Sequence, residues 1–124
     1  MQLGFVSAIL PEFDLDQVLA FAAAEHFTCV EAMCWPRGKA ERKYAGVTHV
    51  DVDAFTPVRA ARIQELCAHH RVPLSALGYY PNPLDPDPGT AAAAATHLRK
   101  VIKAASVLGL QTVNTFVGRD WTRS

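Results

Sequence analysis

Apolar residues along the chain switch between short unbroken runs and repeats spaced three and four apart, and the switching predicts four strands separated by three helices. Leu3–Ala8 is an apolar run ahead of Pro11 and reads as the first strand. Asp14 with Gln17 three residues on has the form of a capping box. Behind it Val18, Leu19, Phe21 and Ala22 share one helical face, up to Glu25. Cys29–Trp35 reads as the second strand, and residues 36–55 as a long connection holding Pro36, Gly38 and Gly46. Thr56-Pro57 is a cap followed by proline at the first helical position, where its missing N–H costs nothing. Ile63, Leu66 and Cys67 give that helix a buried stripe, and Pro73 marks its end. Leu74–Tyr80 is the third strand. The prolines Pro81, Pro83, Pro86 and Pro88 exclude a helix interior, since each removes a donor and restrains its predecessor. Asp87-Pro88 is a second cap-plus-proline start. The helix that follows places Leu98, Val101, Ile102, Ala105 and Leu108 on its buried stripe and closes at Gly109. Thr112–Gly118 is the fourth strand.

Strict alternation of strand and helix argues for an α/β fold with a parallel sheet and right-handed helical crossovers. A (β/α)8 TIM barrel takes about 250 residues. The 124 residues here, with Arg119–Ser124 as a loop after the fourth strand, give the expectation of an N-terminal half-barrel truncated at its C-terminus. The rival architecture is a small open doubly wound sheet with helices on both faces.

Half of the residues are hydrophobic, which suits one domain with a real core. Twelve basic and twelve acidic side chains cancel, so no long-range attraction to nucleic acid or to an anionic membrane is expected. No apolar run approaches the roughly 20 residues of a membrane span, and Met1-Gln2-Leu3-Gly4 lacks the form of a signal peptide. The three cysteines, Cys29, Cys34 and Cys67, sit in apolar segments and read as buried thiols of a cytoplasmic protein, not as a disulfide framework.

The stretch His26-Phe27-Thr28-Cys29-Val30-Glu31 resembles the Gly-Phe-Asp-x-Val-Glu signature that opens the second strand of xylose-isomerase-like barrels, with His26 where that family usually carries glycine. Leu3–Ser7, Val72–Gly78 and Leu108–Val113 resemble the family's first, third and fourth strand starts, in order. The resemblance implies a metal-dependent sugar or sugar phosphate isomerase or epimerase that moves a proton next to a carbonyl. It also implies a divalent metal (Mn, Mg, Co or Zn) whose ligands lie on later strands, so no metal ligand and no catalytic residue is assigned among these residues. Two alternatives stand beside it: a nuclease of the endonuclease IV type, and a non-catalytic half-barrel that self-associates through exposed sheet edges.

Active sites of such barrels lie at the C-terminal ends of the strands, which selects Trp35, Tyr79, Tyr80, Asn114, Phe116 and Arg119 as candidate substrate-binding residues. Glu31, Met33 and Trp35 alternate against Val30, Ala32 and Cys34. A carboxylate does not suit the underside of a helix, so Glu31 should point into the barrel, deep and satisfied by an internal partner, with Trp35 above it as an apolar wall. Alternation sends one of Tyr79 and Tyr80 inward and the other outward, without saying which. Asn114 and Phe116 should face the lumen, and Arg119, at the mouth, could pair with an anionic group. Arg37, Lys39, Arg42 and Lys43 form a basic cluster in the long connection, either a phosphate-drawing lid or a solvated face. His49, Asp51 and Asp53 are metal-like by residue type, but a metal site needs converging ligands with a satisfied outer shell, which alternation alone does not supply.

Overall fold

The computed structural model describes residues 1–38 and 46–123. Four strands, β1 (Gly4–Val6), β2 (Cys29–Met33), β3 (Leu74–Gly78) and β4 (Val113–Asn114), alternate with three helices, α1 (Leu15–Ala24), α2 (Pro57–His70) and α3 (Pro88–Leu108). The sheet order is β1-β2-β3-β4 and every pair is parallel. Each crossover therefore steps one strand in the same direction. With right-handed connections, that order puts all the helices on one face, and α1 packs on α2 and α2 on α3 in a single layer. A doubly wound sheet would reverse its strand order partway and is excluded. The architecture is half of a (β/α)8 barrel.

The helix starts are set locally. Asp14 Oδ1 accepts from Gln17 N–H at 2.8 Å while Asp14 N–H donates to Gln17 Oε1 at 2.9 Å, a complete capping box. Thr56 accepts from Arg59 N–H, and Asp87 accepts from both the N–H and the hydroxyl of Thr90. Gly109 ends α3 in the left-handed region, at φ +75°. His26 takes the same region, at φ +63°, at the position where glycine would cost less.

The strands are shorter than the hydrophobic pattern predicts. β1 gives way to a 3-10 turn over Ser7–Ile9. β2 ends at Met33, and Cys34 instead forms an antiparallel bridge with Thr48 as the long connection returns. Among the described residues β4 has a ladder only with β3, and it keeps two residues. Between sheet and helices lies the main core, built on Val18, Leu19, Val30, Leu77 and Val101. Ile102, expected in the stripe of α3, is 52 % exposed, since a step of about 100° beyond Val101 carries it off the buried face. The helix covers the sheet with Ala94, His97, Val101, Ala104, Ala105 and Leu108. On α2, Ile63, Leu66 and Cys67 are only half-buried and Ala60 is the fully buried contact. Cys29 and Cys67 are likewise half-buried and Cys34 is buried; all three are free thiols. Among the described residues no helix is long and apolar enough to cross a membrane.

His49, Asp51 and Asp53 do not converge. Asp51 pairs with Arg37 at 3.2 Å and Asp53 with Lys100 at 2.7 Å, both at the surface. His49 is buried and ties the long connection to the start of the chain. Its Nε2 lies 3.1 Å from the Leu10 carbonyl and 2.9 Å from that of Phe13, so it must carry the hydrogen. Its Nδ1 therefore accepts from the Ser7 hydroxyl at 2.6 Å, and Ser7 Oγ accepts from Met33 N–H at 2.9 Å. Of the basic cluster only Arg37 lies within the described residues; Lys39, Arg42 and Lys43 lie outside them.

Two outcomes test these local devices. Asp14→Ala should cost about 1 kcal/mol, read by urea denaturation. Burial pushes the His49 imidazole below its ordinary range, against weaker upward pulls from the Phe13 and Leu10 carbonyls and the Asp14 charge. The unfolded chain then takes up the proton first. The stabilisation from neutral His49 is complete above about pH 6.5 and is lost as pH falls below it. Denaturation midpoints should drop from pH 7 to pH 5, and His49→Gln should shrink that drop; an unchanged slope in the variant would contradict the assignment.

Candidate functional site

Side chains on β2, β3 and β4 alternate between the helix layer and the opposite, inner face. Val30, Ala32, Cys34, Leu77, Tyr79 and Val113 belong to the helix-side core. The register pairs Glu31 with Ala76, Met33 with Gly78, and Gly78 with Asn114, all on the inner face. Gly78 has a steric reason to be glycine: a Cβ there would run into Met33 Cε and would lie 2.6 Å from Glu31 Oε2. The bare backbone leaves room for the Glu31 carboxylate to lie across β3.

That carboxylate is buried and joins β2 to β4 and to the segment just past β3. Glu31 Oε2 accepts from the Tyr80 hydroxyl and Glu31 Oε1 accepts from Asn114 Nδ2–H. Both oxygens are occupied, so the polar group placed under the sheet's inner face is satisfied. Burial first, then the hydrogen bond to Glu31 and its charge, push the Tyr80 phenol well above its ordinary range. Tyr80 thus stays a neutral O–H donor at physiological pH.

Above this knot a cavity of about 770 Å3 opens at the C-terminal ends of the strands, with Trp35, Tyr80, Phe116 and Trp121 on its walls and Arg37 and Arg119 at its edge. Tyr80 and Phe116 stack with ring centroids 6.3 Å apart and planes 12° from parallel. Trp35 meets Tyr79 edge to face at 5.0 Å. The loop after β4 is held by one amide. Asn82 Nδ2–H donates to the Arg119 carbonyl at 2.8 Å, and Asn82 Oδ1 accepts from Arg119 N–H at 3.0 Å and from Leu84 N–H at 3.2 Å. Gly118, at φ +76°, fits beneath that amide, where any Cβ would collide with it.

The structure brings most of the sequence-selected residues together. Trp35, Tyr80, Phe116 and Arg119 line one cavity. Tyr80 is the inward tyrosine and Asn114 sits beside it in the Glu31 knot. Tyr79 points outward, buried between Trp35 and His97, and only borders the cavity. Phe116 lies beyond the end of β4 and is 46 % exposed, yet its stacking on Tyr80 keeps it on the inner side. Sequence reasoning missed Asn82 and His97. The Pro-Asn-Pro context of Asn82 favours an Asx turn, which was the available signal. The ring of His97 is buried on Tyr79 and its Nε2 lies 2.7 Å from the Cys34 carbonyl, a contact 63 residues apart with no local signature. Burial pushes the Cys34 thiol up to about 12, which makes it a packing group and not a nucleophile.

Among the described residues no three His, Cys, Asp or Glu side chains gather around one point, and the Glu31 oxygens are both taken. These residues do not fit a divalent-metal cage. Comparison with curated proteins returns no match. A family model described as xylose isomerase-like TIM barrel matches residues 19–124. That family takes in sugar isomerases and epimerases as well as endonuclease IV-type members. The one-layered α/β architecture and the match over most of its length agree, and the chain belongs to the xylose isomerase-like TIM-barrel family.

Proposed function

We propose that this chain forms the substrate-binding wall of a sugar or sugar phosphate isomerase or epimerase. The observation that carries the reading is the stacked Tyr80–Phe116 pair beside Trp35, in a cavity at the strand ends with Arg119 at its edge. Aromatic faces suit the C–H face of a sugar ring, and a guanidinium at the rim suits a phosphate. The Asn82 clamp fixes the backbone from which Arg119 projects. Glu31, with both oxygens engaged and buried, is unsuited to take a substrate proton itself. The divalent metal that the family resemblance implies finds no fitting ligand set among the described residues.

A second reading, a half-barrel that works by self-association, is favoured by the exposure of Val6, Val117 and Trp121, with Val117 at 70 %. Sheets left open at both edges invite pairing.

Both tryptophans of the chain line the cavity, so intrinsic fluorescence reports on it. Titration with aldose and ketose phosphates should change the emission saturably. Phe116→Ala should weaken binding about tenfold, the effect of losing roughly 1.5 kcal/mol of apolar contact. Arg119→Gln should weaken a phosphorylated sugar about tenfold more than its unphosphorylated form. Saturable, steeply salt-dependent binding of abasic duplex DNA with no sugar response would favour the nuclease alternative instead. For the second reading, sedimentation velocity should show concentration-dependent dimers that Val117→Lys abolishes; a monomer at all concentrations would rule it out.

A further inference from the structure

We infer that Glu31 determines specificity by orienting its neighbours: it turns Tyr80 and Asn114 so that the inner face meets a ligand with hydrogen-bond acceptors and thereby selects polyhydroxylated molecules that arrive as donors. The inference rests on the sugar-site reading above and adds the rule by which the site chooses.

A carboxylate accepts and does not donate. Tyr80 has one hydroxyl hydrogen, and it is spent on Glu31 Oε2. What the phenol still offers is oxygen lone pairs. An amide that gives its Nδ2–H to a carboxylate must turn its Oδ1 to the other side, so Asn114 offers Oδ1 and one remaining N–H. In water each of these groups would present donor and acceptor equally. Here the carboxylate removes the choice for Tyr80 and leaves Asn114 one donor beside its oxygen. Glu31 and Asn114 sit on β2 and β4, Tyr80 follows β3 by two residues just after the Tyr79 N–H bonds to the Asn114 carbonyl, and Gly78 keeps the space between them clear, so the sheet's ladder carries the arrangement up to Tyr79. Met33, buried and on the same face, supplies no competing partner. The elevated phenol range of Tyr80 agrees with a hydroxyl committed to donation.

Glu31→Gln keeps the shape and replaces one acceptor with a donor, which obliges either Tyr80 or Asn114 to reverse. Two ligand-free readouts test the orientation. In the wild-type chain one Asn114 side-chain amide proton should be shifted downfield and protected from exchange, and Tyr80 should ionise at higher pH than Tyr79, which burial alone also raises. Glu31→Gln should move the Tyr80 transition to lower pH, because the neighbouring charge is gone, and should abolish the amide signal where Asn114 is the group that reverses; Tyr80→Phe should remove the Tyr80 transition and leave that of Tyr79. A binding arm uses xylitol and its fully O-methylated derivative, which keeps acceptors and has no donors. Wild type should prefer xylitol by about a hundredfold, about tenfold for each of two acceptors left unpaired, and Glu31→Gln should lose most of that preference. Two freely exchanging Asn114 amide protons in the wild type would overturn the inference even if the variant fails to fold. So would equal discrimination in a folded Glu31→Gln. An intact amide and tyrosine signature with neither probe bound would instead overturn the sugar-site reading and leave the orientation standing.

Discussion

One buried carboxylate organises the inner face of this sheet. A strand whose outward residues pack under helices has to face its alternate residues the other way, and on β2 one of them is Glu31. Left alone, a carboxylate removed from water would cost several kcal/mol. Tyr80 and Asn114 remove that penalty by donating to both of its oxygens. The same two bonds tie β2 to β3 and β4 at the level where the cavity begins. The contacts that make the carboxylate tolerable also decide which polar atoms of Tyr80 and Asn114 are left unengaged.

Around this knot, continuous apolar packing gives way toward the strand ends to single polar ties. The helix-side core is continuous from α1 to α3. The inner side holds a smaller cluster, Ala8, Met33 and Val47 with Trp35 and Tyr80 against it. Beyond β4 the chain depends on the Asn82 amide, which pairs with both backbone groups of Arg119 as a neighbouring strand would. His49 does comparable work at the opposite edge of the sheet, joining the turn after β1 to the long connection. Single polar side chains thus fasten the loops that a longer ladder would otherwise hold.

What was legible in the sequence follows the range of the interactions. The caps at Asp14, Thr56 and Asp87 involve neighbours three residues away and were readable as short motifs. The order of elements needed only periodicity, and the inward position of Glu31 only the incompatibility of a carboxylate with a helix underside. The phase of Tyr79 and Tyr80 was not readable, because it depends on where β3 pairs, and the ladder slips between Val30 and Glu31. Ile102 failed because one residue's rotation separates a buried stripe from its margin. The partners of Glu31 lie 49 and 83 residues away, and Asn82 and His97 reach Arg119 and Cys34 across 37 and 63 residues. His49, Asp51 and Asp53, metal-like by residue type alone, part for the converse reason: alternation describes an extended segment, and the actual turns send the three side chains to different partners.

The most direct measurement is a crystal structure of the chain grown with a sugar phosphate. The account predicts the sugar ring against Tyr80 and Phe116, its hydroxyls donating to the Tyr80 oxygen and Asn114 Oδ1, and Glu31 still bonded to both residues. A ligand bound elsewhere, or a Glu31 carboxylate released from Tyr80 and Asn114 and turned onto the sugar, would contradict it.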